Sequence, residues 1–180
     1  MRALRHLDLR RDFSVRHLIL ALVVLAISGC GFQLRGTGGG SALPEAWKSM
    51  HLIADNANSE LTRIVEASFS ANGVVWLPRG EAAYILRLGN EQFSQRNLSV
   101  NAEARAAEFD LQMRADFIVM DRDGQVLMER TTGAVNKQME NDPQNVVGKA
   151  EEIRVLRGEL RFELAQQIFR RISFFAANNG

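Results

Sequence analysis

The stretch FDLQMRADFIVM, residues 109–120, sets the architecture of the chain. Phe109, Leu111, Met113, Ala115, Phe117 and Val119 alternate with Asp110, Gln112, Arg114 and Asp116. Successive side chains of a strand point to opposite faces, so this period of two predicts a strand with one apolar face and one wet face. DRDG (Asp121–Gly124) follows with the chemistry of a tight hairpin turn. Gln125–Lys137 then reads as the returning strand.

On the N-terminal side, AAYILRLGNEQF (Ala82–Phe93) and AWKSMHLIA (Ala46–Ala54) read as two further strands. Between them, residues 58–73 read as a helix. Leu61, Ile64, Val65, Ser68 and Phe69 form one stripe at a 3.6-residue period, Asn58 or Ser59 can cap it, and Gly73 can close it. On the C-terminal side, Asp142 is placed to cap and Pro143 to start a long helix, proline being suited to the first helical position. Its apolar stripe is Ile153, Leu156, Leu160, Leu164, Ile168 and Ile172, with Gly148 and Gly158 as weak points where it can break. The order is β-α-β-β-β-α. It predicts an α/β (α+β) fold, a two-layer sandwich with two helices packed on one face of a four-stranded mixed sheet. A chain of 180 residues, 46% apolar and 24% charged, fits one globular domain. That domain is expected over 46–176, with a short tail at 177–180.

The first 29 residues have a different character. An arginine-rich lead is followed by LILALVVLAI (Leu18–Ile27), ten residues without a charge. This is the pattern of a secretory signal, and ten apolar residues are half of the roughly 20 that span a bilayer. The signal ends in ISGC (Ile27–Cys30), which has the form of a bacterial lipobox and holds the only cysteine of the chain. One cysteine forms neither an internal disulfide nor a cysteine-based zinc site. As a lipidation point it has a clear use. Cys30 is expected to become the new N-terminus, carrying S-diacylglycerol and N-palmitoyl groups, with no other cofactor. Stable anchoring takes more than one acyl chain, and this arrangement supplies them. Gly31, rather than Asp, after the cysteine points to the outer membrane of a Gram-negative envelope. RRDF (Arg10–Phe13) has some twin-arginine character, but the strongly apolar core favours general secretion. Residues 30–45, with GTGGGSALP (Gly36–Pro44), read as a flexible tether.

Residues 1–29 contain five arginines and two aspartates. Of 22 basic and 21 acidic residues, 17 and 19 therefore remain after cleavage, a net charge of −2. That gives no support for bulk nucleic-acid binding, which rests on phosphate neutralisation, and no nucleic-acid partner is expected. Catalytic patterns are absent as well. His51 is the one histidine left after cleavage, inside a predicted strand and with no second ligand near it in sequence. There is no G-x-S-x-G elbow, and GTGGGS lacks the lysine of a phosphate loop. Glu151 and Glu152 are adjacent on a helix and so point apart, as on a solvated face. Arg87, Arg114 and Arg130 are placed to share the open face of the sheet, as a charge stripe or as local ion pairs.

CGFQLRG (Cys30–Gly36), directly after the lipobox, resembles the mature start of the LPS-assembly lipoprotein LptE family. The resemblance continues in the element order, in AAEF (Ala106–Phe109), and in NDPQNVVGKAEE (Asn141–Glu152) leading into the last helix. It covers nearly all of residues 30–175. It implies a non-enzymatic lipoprotein on the periplasmic side of the outer membrane. Such a protein plugs the β-barrel of a partner, LptD, helps that barrel assemble, and binds lipopolysaccharide during delivery to the cell surface. Through the DPQ…K spacing, Lys149 matches a basic residue implicated in lipopolysaccharide binding in the family. Relatives also place a cation in the loop corresponding to SVNAEARA (Ser99–Ala106), where this chain offers Arg105. The competing reading is another periplasmic envelope lipoprotein of the same two-layer class, acting as a binding module.

Overall fold

The computed structural model describes residues 43–100, 106–141 and 146–179. Its elements are β1 (Ser49–Ala54), α1 (Glu60–Ala71), β2 (Val75–Trp76), β3 (Tyr84–Leu88), β4 (Gln92–Val100), β5 (Ala106–Asp121), β6 (Val126–Glu140) and α2 (Val146–Asn179). Among these residues no helix is long and apolar enough to cross a membrane.

β5, the strand of alternating residues, is the centre of the sheet. One edge pairs antiparallel with β6, and the other with β3 and β4 in succession. β1 joins β3 in parallel and β2 joins β1 in parallel, which makes the sheet mixed. The turn between β5 and β6 forms as its residues predict. The Gln125 amide donates to Asp121 Oδ1 at 2.8 Å, and Gly124 takes the left-handed conformation at φ 86°. A side chain would be strained there.

The expected four-stranded sheet is corrected to six strands. The segment 82–93, expected as one strand, divides at residues 89–91, and its second half runs on to Val100. Both halves stay on the same edge of β5, from Tyr84↔Asp121 to Leu88↔Phe117 and then from Gln92↔Arg114 onward. Between the halves the edge carries one residue more than β5 opposite it, and the Gly89 amide still donates to the Asp116 carbonyl at 2.8 Å. β2 is two residues long, too short to show a period. The expected first strand also starts later. Glu45–Lys48 wind into a 3₁₀ turn, with the Trp47 amide donating to the Pro44 carbonyl at 2.9 Å. Trp47 is buried by stacking on Tyr84, ring centroids 4.0 Å apart. Leu43, in the stretch read as tether, belongs to the core, so the folded region begins before residue 46.

Both helices cover the same face of the sheet. Leu61, Val65 and Phe69 of α1 and Leu160, Leu164, Ile168 and Ile172 of α2 share one core with Met50, Leu86 and the six alternating residues of β5 from Phe109 to Val119. Ser59 caps α1, its hydroxyl accepting the Thr62 amide at 3.0 Å. α2 runs unbroken for 34 residues, through Gly148 and Gly158. Packing of its apolar stripe outweighs the propensity cost of two glycines. The expected cap Asp142 and first-turn Pro143 lie outside the described residues.

α2 comes closest to the sheet at β6. A Cβ on Gly133 would lie 2.9 Å from Leu164 Cδ1, so any larger residue there must displace the Leu164 side chain or the helix. Beside it the Gln167 side-chain amide bonds both backbone groups of Ala134, accepting from its N–H at 2.9 Å and donating to its carbonyl at 3.1 Å. Arg171 adds a bond to the Thr132 carbonyl at 3.0 Å. Among the described residues β6 pairs only with β5, and these bonds occupy its outer backbone at Thr132 and Ala134, which would otherwise be open to another strand.

Candidate functional site

Lys149 sits in the first turns of α2 and is half-buried. Its ammonium lies 4.2 Å from the centroid of the Phe109 ring and donates to Asn141 Oδ1 at 2.7 Å. Cation–π contacts contribute roughly 0.5–2 kcal/mol, depending on desolvation. The lysine is therefore held in place by the sheet rather than extended freely from a helix. Phe109 lies near the start of β5 and Asn141 directly follows β6, so Lys149 lies at the pole of the sheet where β5 begins and β6 ends. The chain between β4 and β5 is residues 101–105. Arg105 belongs to that connection and lies outside the described residues, as do Cys30 and the whole of the expected signal.

The same edge of α2 carries two more cations at helical spacing. Arg157 places its guanidinium 3.9 Å from the centroid of the Phe93 ring. One turn further on, Arg161 bonds Glu91 at 2.7–3.0 Å and Glu60 at 2.6 Å. Arg157 thus reaches β4 and Arg161 the residue just before it, while Lys149 meets the start of β5; Lys149 and Arg157 stand on aromatic rings rather than carboxylates. Of these three, the sequence pattern singles out only Lys149. Nothing in the sequence pairs Arg157 with Phe93, which is 64 positions away.

The wet face of the sheet departs from expectation at one residue. Asp110, expected to be solvated, is buried. Its carboxylate accepts from Asn136 Nδ2 at 2.9 Å and from Arg96 at 2.7 Å, one partner on each neighbouring strand. The Asn136 bond and then the Arg96 guanidinium hold its pKa below the ordinary 3.8, against the opposing effect of burial. A depressed carboxylate contributes stability above its unfolded pKa and loses it as pH falls through the folded value. Asp110→Asn is therefore expected to lower the urea midpoint clearly at about pH 7 and less in acid well below pH 3.8, where the wild-type group is progressively protonated. Equal lowering at both would show that the carboxylate charge does not matter.

The three arginines of the open face are ion-paired or hydrogen-bonded locally. Arg87 meets Asp55 at 3.6 Å, Arg130 meets Asp116 at 3.3 Å, and Arg114 donates to Gln92 Oε1 at 2.9 Å. Thr132 and then Arg130 hold the Asp116 pKa below the usual carboxylate value. The cleft among Arg87, Asp116 and Arg130 has a volume of only about 40 Å³, scarcely more than the share of one water in the liquid. His51 is half-buried, and its Nδ1 donates to the Leu77 carbonyl at 2.8 Å. Among the described residues no group of three His, Cys, Asp or Glu side chains is placed to hold a metal ion.

Similarity to known proteins agrees with this architecture. The LPS-assembly lipoprotein LptE of Photorhabdus laumondii is 28% identical over 156 residues, 86% of this chain and 83% of its own length. The solution structure of a lipoprotein B from Nitrosomonas europaea superposes with a TM-score of 0.67 at 22% identity, covering 82% of this chain and 93% of that one. A minor lipoprotein from Acinetobacter baumannii superposes with a TM-score of 0.62 at 26% identity, covering 75% and 95%. Residues 47–172, from the stacked tryptophan to the last buried isoleucine of α2, match the family described as LptE, Lipopolysaccharide-assembly. The chain belongs to the LptE lipopolysaccharide-assembly family.

Proposed function

We propose that this chain is a lipoprotein of the outer membrane, anchored through Cys30, that plugs and helps assemble the LptD β-barrel and binds lipopolysaccharide on its way to the cell surface. The observation that carries the reading is the family match over residues 47–172, which takes in the entire sheet and most of both helices. The role is binding and scaffolding, without catalysis. Lys149 and Arg105 meet the phosphorylated part of the glycolipid, where a cation gains charge-assisted hydrogen bonds. What supports this placement is the half-buried ammonium over Phe109, at the pole where β5 begins directly after Arg105 in the chain.

The test is lipopolysaccharide binding by the purified protein at low and high salt. Lys149→Ala is expected to weaken binding a few-fold, since a single ion pair near the surface contributes roughly 0–1 kcal/mol. Lys149→Asp adds repulsion and is expected to weaken it about tenfold, most strongly at low salt. Thermal melts of both variants separate lost contact with Phe109 from lost ligand. Unchanged affinity for Lys149→Asp at low salt contradicts the site. The anchor has its own test: Cys30→Ser is expected to take up no labelled fatty acid, and continued labelling contradicts the lipobox reading.

A further inference from the structure

At the opposite end of α2 from Lys149, a groove of about 550 Å³ opens between the helix and the first half of β6. That volume lies within the roughly 300–1,000 Å³ of small-molecule sites. Its walls are Met128, Phe174 and Phe175, and Arg170 and Arg171 help to line it. Phe174 is 73% exposed, the most exposed large apolar side chain among the described residues. Val126 and Leu127, also exposed, lie just before Met128. An apolar groove with an exposed aromatic ring at its rim is a candidate binding surface.

The charges select the occupant. No described residue lining the groove is acidic. Arg171 is fixed by its bond to the Thr132 carbonyl, while Arg170 has no ion pair or hydrogen bond among the described residues. An apolar slot beside two guanidinium groups suits a hydrocarbon chain that ends in a phosphate, because a guanidinium binds phosphate bidentately. Lys149 and Arg170 are 21 residues apart on one helix, about 30 Å at 1.5 Å per residue. The groove is therefore separate from the Lys149 pole.

We infer that this groove holds one acyl chain of an anionic glycerophospholipid, with its phosphate against Arg170 and Arg171. Such a site is additional to the proposed function and does not depend on Lys149.

The test uses the full chain reconstituted in phosphatidylcholine vesicles. These carry a small fraction of phosphatidylglycerol with a photoactivatable group in its acyl chain, and crosslinks are mapped by mass spectrometry. Labelling is expected in peptides containing residues 126–131 and 170–179. Arg170→Glu or Phe174→Asp is expected to reduce it roughly fivefold, about 1 kcal/mol. Both side chains are exposed, so the melting temperature should not move. The same photoactivatable chain on phosphatidylcholine should label these peptides far less. Three outcomes overturn the inference: no labelling there, equal labelling by the phosphatidylcholine probe or in the Arg170→Glu variant, or loss of labelling when lipopolysaccharide competes at equal concentration. The last would assign the groove to the glycolipid. Retained lipopolysaccharide binding by Arg170→Glu shows that the Lys149 reading stands or falls separately.

Discussion

Phe117→Ala is expected to cost about 3–5 kcal/mol of stability, whereas Gln112→Ala costs less than about 1. The two residues belong to the same strand, five positions apart, and point to opposite faces. Phe117 is fully buried between Leu88 on β3 and Thr131 on β6, in the core shared by both helices. Removing its ring leaves a cavity that the flanking strands, tied in register on either side, cannot close. A domain of this size has on the order of 5–15 kcal/mol in total, so the variant should unfold at a much lower urea concentration. Gln112 lies opposite Ser94 and Asn136 on the wet face, where truncation removes little buried area. Urea midpoints of the two variants decide the matter. Equal shifts would mean that the sheet does not have one buried and one wet face.

Gly133→Val is expected to destabilise by about 2–3 kcal/mol, and Gly158→Ala to stabilise by about 0.5–1. Both positions are glycines, and only their surroundings differ. A Cβ at 133 meets Leu164 Cδ1 at 2.9 Å, Gln167 Oε1 at 3.3 Å and Ile168 Cγ1 at 3.4 Å. Leu164 and Ile168 are fully buried, so their methyl groups have no space into which to move. The branched side chain therefore pushes α2 away from β6 and loosens the Gln167 clamp on Ala134. At 158 a Cβ meets nothing within 4 Å, and alanine simply removes the entropy cost of a glycine inside a helix. Melting temperatures should move in opposite directions. A Gly133→Val protein as stable as the wild type would show that the helix is not pressed against that strand.

The parts of the fold legible in the sequence are those governed by local period. The alternation of β5, the DRDG turn and the stripes of both helices are repeated signals within a dozen or so residues, and each element forms where its pattern lies. The parts that are not legible depend on distant partners. Asp110 reads as a wet-face aspartate until Arg96 and Asn136, 14 and 26 residues away, are brought to it by the register of two neighbouring strands. The interruption at residues 89–91 is a one-residue shift of register against β5, which no local pattern announces. β2 is a parallel pair of two residues, which no period can announce. At the candidate site, spacing singles out Lys149, but its ring partner Phe109 is 40 positions earlier, and the contact of Arg157 with Phe93 exists only in the folded chain. The groove at Phe174 is likewise a meeting of helix and strand, although a phenylalanine pair close after two arginines is the trace it leaves in the sequence.

A role as plug and assembly partner of a lipopolysaccharide-delivering barrel requires a physical complex in the membrane. The most direct test is to capture the tagged mature protein from outer membranes in mild detergent and to identify and quantify what accompanies it. The expected result is one large β-barrel protein of the LptD type, near one-to-one, with lipopolysaccharide in the eluate. A soluble periplasmic or peptidoglycan-bound partner in its place, or no barrel in stoichiometric amount, would contradict that role.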